Sequence, residues 1–231
     1  MEIYQTNPTF VFQMGSKVYK IFNDELSCKN EFELLNRGDN ILISSSSGNN
    51  YDIHINTPIC FFNEVLVLKR ASGKNLIETN NNEDAAIVGK CLGKYHKKNI
   101  SISGTTNGKL LGDFAINHIF IDAESRKIEL IDPGANYMVD GNYDEDVSRF
   151  LFSVIEAYRY RPYKAILIMR SFLFGYSKTN TIDHINLVNM INFRKKRSLE
   201  KYRMQQSFIR ASFGEIVLSY NKLIILRALK C

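Results

Sequence analysis

Apolar residues change their spacing near Ala71–Lys74, and this change limits what the chain can fold into. Ahead of it, short runs rich in Phe, Val, Tyr and Ile alternate with turn residues, as in FVFQM, the pair Gly15-Ser16, and KVYKIF. Aromatic and β-branched residues bounded by such turns favour short antiparallel strands. Behind it, apolar residues recur three and four apart over long stretches, which is the spacing of one helix face. A chain built this way is α+β, with a strand-rich front lobe at residues 1–72 and a helix-rich back lobe at residues 73–231.

In the front lobe, residues 1–22 read as a meander of EIY, the turn-like QTNPT, FVFQM and KVYKIF. Residues 24–37 carry Leu26, Phe32 and Leu35 on one helical face, with Gly38 as a stop. ILISSSSGNNYDIHI offers another strand and loop, and FFNEVLVLKR a buried strand that ASGKN breaks. DAAIVGKCLGKYHKKN then reads as a helix with Ala86, Val88, Leu92 and Tyr95 at helical spacing. Two short strands follow, NHIFIDA and KIELIDP, joined by ESR. Beyond residue 144 the helices are DVSRFLFSVIEAYRY, KAILIMRSFLFGY, INLVNMINFRKKRSLEKYRMQQSFI and EIVLSYNKLIILRAL. Phe150, Phe152, Tyr158, Phe172 and Phe174 form an aromatic stripe expected in the core.

With 45% hydrophobic and 23% charged residues, the chain is neither disordered nor fibrous. It has no run of about 18 apolar residues, so no transmembrane segment is expected. MEIYQTNPTFVF lacks the layout of a secretory signal, which points to a cytoplasmic protein. Cys28, Cys60, Cys91 and Cys231 are widely spaced and read as reduced thiols. Charge is uneven: residues 1–150 hold 15 basic and 20 acidic residues, residues 151–231 hold 15 basic and 4 acidic. A cationic back third suits an anionic partner, whether RNA, a glycan, or an anionic membrane met peripherally at its inner face; a merely solvated surface is the alternative. Within it, RKKRSLEKYR puts Arg194, Arg197 and Lys201 on one side of a helix, either an anion-binding face or a solvated one.

The segment LGDFAINHIFIDAESRKIELIDPG carries the chemistry. It sets Asp113 just before one strand, His118 at that strand's start and Asp132 at the end of the next. Two antiparallel strands joined by a tight turn bring these opposite ends together. Pro133-Gly134 turns the chain sharply and leaves Asp132 at a mouth. Converging carboxylates suit a hard divalent cation and the phosphates it carries.

GDFAINHIFID…IELIDPG resembles the catalytic and metal loops of kinase-like phosphotransferases. The pattern is that of aminoglycoside phosphotransferases, choline kinases and lipopolysaccharide core kinases, usually HGDxxxxN…xxIDxG. The resemblance implies a two-lobed protein-kinase-like fold, a small antiparallel sheet with one helix in front and helices behind, with ATP and Mg between them. It implies Asp113 as the base that takes the acceptor's proton, and Asp132 with His118 as metal ligands. VYKIF resembles the strand whose lysine, here Lys20, meets the α/β phosphates. KNEFELL resembles the helix whose glutamate fixes that lysine, here Glu31, with Glu33 as the alternative. VLVLKRASGKNL resembles the hinge that cradles adenine, from Lys69 to Ala71. LGKYHKKNI resembles the helix end before the catalytic loop, with His96 expected to cap it through a backbone bond. DEDVSRFLF resembles the helix start that carries a structural aspartate, here Asp146. The resemblance covers about residues 1–155.

Three departures stand out. Leu111 replaces the histidine before Gly-Asp and removes a hydrogen-bonding group from the loop. His118 stands where Asn is usual, one place after Asn117, so either residue can be the ligand, and an imidazole ligand shifts the preference towards Mn. QTNPT is not glycine-rich, and Thr6 or Thr9 would meet phosphate instead. The back third offers only Glu156, Asp183, Glu200 and Glu215 as acids, so the expected hydroxyl acceptor is neutral or anionic rather than polycationic. A small RIO-like protein kinase and a nucleotide-binding pseudokinase are the alternatives.

Overall fold

The computed structural model describes residues 8, 10–36, 41–43, 51–103, 107–134, 137–205, 220 and 223–224. The expected strand EIY, the loop SSSSGNN and nearly all of EIVLSYNKLIILRAL lie outside these residues, as do Thr6 and Thr9. In chain order the front segment holds β1 (Phe10–Met14), β2 (Lys17–Ile21), α1 (Glu25–Leu35), β3 (Ile41–Ile43), β4 (Asp52–Ile55), β5 (Pro58–Phe62) and β6 (Val65–Lys69). There follow β7 (Lys74–Asn75), α2 (Leu76–Thr79), α3 (Asn82–Ser103), β8 (Asn107–Lys109), a 3-10 turn (Ile116–His118), β9 (Ile119–Asp122) and β10 (Lys127–Leu130). The chain continues with β11 (Asp140–Asn142), α4 (Asp144–Ala157), α5 (Pro162–Ser177) and α6 (His184–Gln205).

The front sheet has the order β1-β2-β6-β5, with every pair antiparallel. FFNEVLVLKR is not one strand. Asn63, at φ 48°, turns the chain back so that β5 and β6 form a hairpin. Asparagine tolerates this left-handed conformation better than most residues. Strand alternation puts Val18, Lys20 and Phe22 on the inner side of β2, and Lys20 is 7% exposed.

Asp24 starts α1 by accepting a 2.7 Å hydrogen bond from the Ser27 N–H, which satisfies one free donor of the first turn. The buried face of α1 is Cys28, Glu31, Leu34 and Leu35, whereas Leu26 is 63% exposed. The inner face of this helix therefore includes a carboxylate where Leu26 was expected to pack.

A second sheet runs β3-β4-β10-β9-β7. β4 pairs with β10 in parallel, so a strand from the front segment is built into the sheet that carries the β9–β10 hairpin. Ile53, Ile55, Ile128 and Leu130 are buried at that junction.

The helical part is held by the close approach of α3 and α5. A Cβ on Gly89 would lie 2.0 Å from the Phe172 carbonyl oxygen, and one on Gly175 would lie 1.9 Å from that of Ala86. Phe150 and Phe172 stack in the core at 3.9 Å between centroids. Phe174 departs from the expected stripe: it is 61% exposed, with Lys178 Nζ 4.3 Å above its ring. No helix among the described residues is long and apolar enough to cross a membrane.

Candidate active site

Lys20, on β2, links two carboxylates of the site. Its Nζ lies 3.0 Å from Glu31 Oε1 and 3.1 Å from Asp132 Oδ1. Burial opposes its charge, but Glu31 and then Asp132 outweigh that and hold the ammonium above its usual range. Glu31 is itself only 3% exposed, so this lysine and glutamate desolvate one another inside the front lobe. The Asp132 side chain is 48% exposed and opens to solvent.

Asp132 sits just beyond β10 at φ 51°, a conformation that costs a non-glycine residue about 1–2 kcal/mol. The chain holds it there by a hydrogen bond from the Asp113 N–H to the Pro133 carbonyl oxygen. Gly134 follows at φ 72°, where a Cβ would lie 3.2 Å from Asp113 Cβ. Asp113 and the Asp132 loop are thus brought side by side.

The loop carrying Asp113 is anchored from below by Asp146, which is fully buried in the first turn of α4. Asp146 accepts hydrogen bonds from the N–H groups of Leu111 at 2.9 Å and Gly112 at 3.2 Å. Its Oδ2 also lies 3.2 Å from His96 Nε2. His96 does not cap a helix end, because α3 continues to Ser103 and leaves it inside the helix. Its Nδ1 is 2.8 Å from the Tyr176 hydroxyl, and its ring stacks on Tyr143 at 4.1 Å. The hydrogen-bonding group missing at Leu111 is thereby supplied from α3, and Leu111 itself is buried as an apolar residue.

His118 closes the other side of Asp113. Its Nδ1 lies 3.2 Å from the Asp113 carbonyl oxygen and 3.5 Å from Oδ2. With Nδ1 donating, Nε2 keeps its lone pair, which is how a metal-ligating histidine is usually oriented. Asn117 is exposed, and its carbonyl oxygen accepts a 2.7 Å bond from Asn75 Nδ2. Among the described residues no three His, Cys, Asp or Glu side chains form a ready-made metal cluster. Any cation here would take part of its shell from the bound phosphates, as Mg characteristically does. The donor set fits that role: the half-exposed carboxylate of Asp132 already faces one cation, the Lys20 ammonium.

The segment expected as a hinge, Lys69 to Ala71, leads on to Lys74 at the start of β7. The N–H groups of Lys69 and Arg70 donate to the carbonyl oxygens of Thr57 at 3.4 Å and Ser16 at 2.8 Å. The Ser72 N–H donates to Glu129 Oε2, and Lys127 Nζ lies 2.6 Å from Glu129 Oε1. Gly73, at φ 80°, lets the backbone pass so close to β9 that a Cβ would meet the Ile121 carbonyl oxygen at 2.1 Å. Ala71, half-buried, is flanked on both sides by N–H groups already committed inside the protein.

The structure therefore brings together Lys20, Glu31 and Asp132, and separately Asp113, His118 and the backbone behind Asp132. Lys69 and Ala71 lie on the hinge, and Thr9 is outside the described residues. Two residues escaped sequence reading. Arg149 Nε makes an ion pair with Asp113 Oδ1. The available signal was its place three residues after Asp146, hence one helical turn along the same face. Glu129 was signalled only as an acid within an apolar strand. Arg194, expected on an anion-binding or solvated face, is instead tied to α4 through Ser148 Oγ and the Glu145 carbonyl oxygen, each at 3.1 Å.

No family model and no curated protein matches the sequence. Among solved structures the chain is similar to amicoumacin kinase hAmiN in complex with AMP-PNP, Ca2+ and Ami, at a TM-score of 0.57 and 11% sequence identity. The match covers 96% of this chain and 89% of that one. A likeness at that identity speaks for the fold alone, and together with the sheet-and-helix arrangement it places this chain in the two-lobed fold of the kinase-like phosphotransferases.

Proposed function

We propose that the protein is an ATP-dependent phosphotransferase that moves a γ-phosphoryl group to an acceptor hydroxyl. The observation that carries this reading is the buried Lys20–Glu31 pair reaching Asp132 from another part of the chain, beside a loop that presents Asp113. Lys20 meets the α/β phosphates, with Glu31 keeping its ammonium aimed at them. Adenine lies along the hinge between the Lys69 carbonyl and the Ala71 N–H, and Thr9, just ahead of β1 in sequence, meets phosphate. Asp132 with His118, or with Asn117, holds Mg or Mn. A divalent cation there would neutralise charge on the bridging and terminal phosphate oxygens.

Asp113 orients the acceptor hydroxyl and takes its proton. The hydroxyl oxygen bonds to the γ-phosphorus, the bond from phosphorus to the β–γ bridging oxygen breaks, and ADP leaves with that electron pair. Positioning and charge neutralisation supply most of the rate. We divide the lobes at 72/73, within the hinge, and assign the acceptor as neutral or anionic. The pseudokinase alternative draws on one observation: both carboxylate oxygens of Asp113 already face donors, Arg149 and His118.

The test is ATP binding and turnover with Mg and with Mn for wild type, Asp113→Ala and Asp132→Ala. The expected result is slow acceptor-free hydrolysis that falls by about a hundredfold or more in both variants. Binding without turnover in either metal would favour the pseudokinase, and no binding would count against both.

A further inference from the structure

Asp113 is enclosed on two sides. Arg149 of α4 ion-pairs with its Oδ1, and His118 Nδ1 lies 3.5 Å from its Oδ2. Each carboxylate oxygen keeps a second lone pair, so an acceptor hydroxyl that passes its proton here arrives beside one of these two donors. His118 is the more constrained neighbour, with a side chain 15% exposed and a further bond to the Asp113 carbonyl oxygen at 3.2 Å. Arg149 is more open, at 26% side-chain exposure.

The guanidinium has five N–H donors in a flat fork. Among the described residues its one hydrogen-bonding or ion-pair partner is Asp113, engaged through Nε, so the two terminal nitrogens remain available. Behind it stands Arg194 of α6, fixed by Ser148 Oγ and the Glu145 carbonyl oxygen. Burial and then the charge of Arg149 lower the proton affinity of Arg194, while Glu145, Asp113 and Asp146 act in the opposite sense. Like charge from Arg194 thus acts on Arg149 from α6.

Resting on the phosphotransferase reading, we infer that Arg149 docks a phosphate or carboxylate carried by the acceptor on its terminal nitrogens, beside the Asp113 carboxylate that receives the acceptor's hydroxyl. A planar guanidinium pairs with such an anion through two parallel hydrogen bonds, which a neutral acceptor cannot offer. A cationic acceptor adds repulsion at the same point. The substrate class is therefore a small acidic alcohol, with its anionic group on the α4 side of the reacting hydroxyl.

The experiment uses the full chain saturated with AMP-PNP and Mg2+, titrated by calorimetry with inorganic phosphate and separately with acetate. Wild type is compared with Arg149→Gln and Arg149→Lys, each checked for folding by its thermal melt. One saturable anion site is expected in wild type, at least tenfold weaker in Arg149→Gln and intermediate in Arg149→Lys, which keeps the charge without the fork. Tighter phosphate binding assigns a phosphorylated acceptor, and tighter acetate binding a carboxylate. Absence of a saturable anion site in wild type, or undiminished binding in folded Arg149→Gln, overturns the inference and leaves the kinase reading standing. If Arg149→Gln does not fold, wild-type affinity in Arg149→Lys overturns it. Failure to bind AMP-PNP at all removes the kinase reading first, and this inference with it.

Discussion

Lys20 and Asp132 stand 112 positions apart in sequence and meet across 3.1 Å, although one side chain is nearly buried and the other half-exposed. The asymmetry separates the two partners of the lysine. Glu31 is buried with it, so removing the glutamate charge strands an ammonium inside the protein. Asp132 faces solvent, where water screens the pair and its net contribution to stability is small. Glu31→Gln is expected to destabilise the protein by about 3 kcal/mol or more. Asp132→Asn should cost less than about 1 kcal/mol yet abolish ATP turnover. Urea denaturation alongside turnover measures both, and equal stability losses would contradict the division of roles.

The same lysine predicts an alkaline limit. Its folded-state affinity for the proton is raised above the ordinary lysine value of 10.5, with Glu31 and Asp132 overcoming the opposing effect of burial. Its contribution to stability is therefore complete below pH 10.5 and fades as pH rises through the folded value. As pH rises above 10.5, wild type should lose stability more steeply than Lys20→Met, as read from urea midpoints along a pH series. Parallel pH profiles would show that Lys20 contributes nothing in this range.

Asp146 holds two backbone N–H groups and His96 in a fully buried place. Asp146→Ala leaves these donors unpaired and is expected to cost about 3–5 kcal/mol, enough to unfold a marginal protein. Tyr176→Phe removes the bonds of one hydroxyl to His96 and Asn180 and should cost less, about 1–2 kcal/mol. Thermal melts of both variants would check the ratio.

The hinge offers a separate test. Gly73→Ala places a Cβ against the Ile121 carbonyl oxygen at a φ that disfavours a side chain. Loss of at least about 1–2 kcal/mol is expected from the backbone alone, together with weaker AMP-PNP binding if this segment cradles adenine as proposed. Glu129→Gln keeps the shape but removes the charge that Lys127 and the Ser72 N–H share, and should weaken nucleotide binding by less. Fluorescent-nucleotide titration would rank the two, and an unchanged affinity in Gly73→Ala would detach the hinge from the site.

Part of the candidate site was legible in short strings: the resemblance of VYKIF and KNEFELL to a known strand and helix names Lys20 and Glu31, and their side chains meet at 3.0 Å. The strand–turn–strand run likewise placed Asp113 and the Asp132 loop at one end of a hairpin. Local period misled where a turn interrupts it, as at Asn63, where one expected strand is two. The resemblance of LGKYHKKNI to a helix end misled at His96, whose buried partners Tyr176 and Asp146 lie beside a helix that continues to Ser103.

By itself the sequence determined the order of the lobes and the strands and helices that carry the charged residues. These follow from nearest-neighbour geometry, the two-residue period of a strand and the 3.6-residue turn of a helix. Only the tertiary structure decided that Arg149 sits on Asp113, that Glu129 holds the hinge, and that β4 joins β10 in parallel. Those contacts join residues 36, 57 and about 75 positions apart. They depend on how loops close and which faces pack, and no local pattern of polarity carries that information.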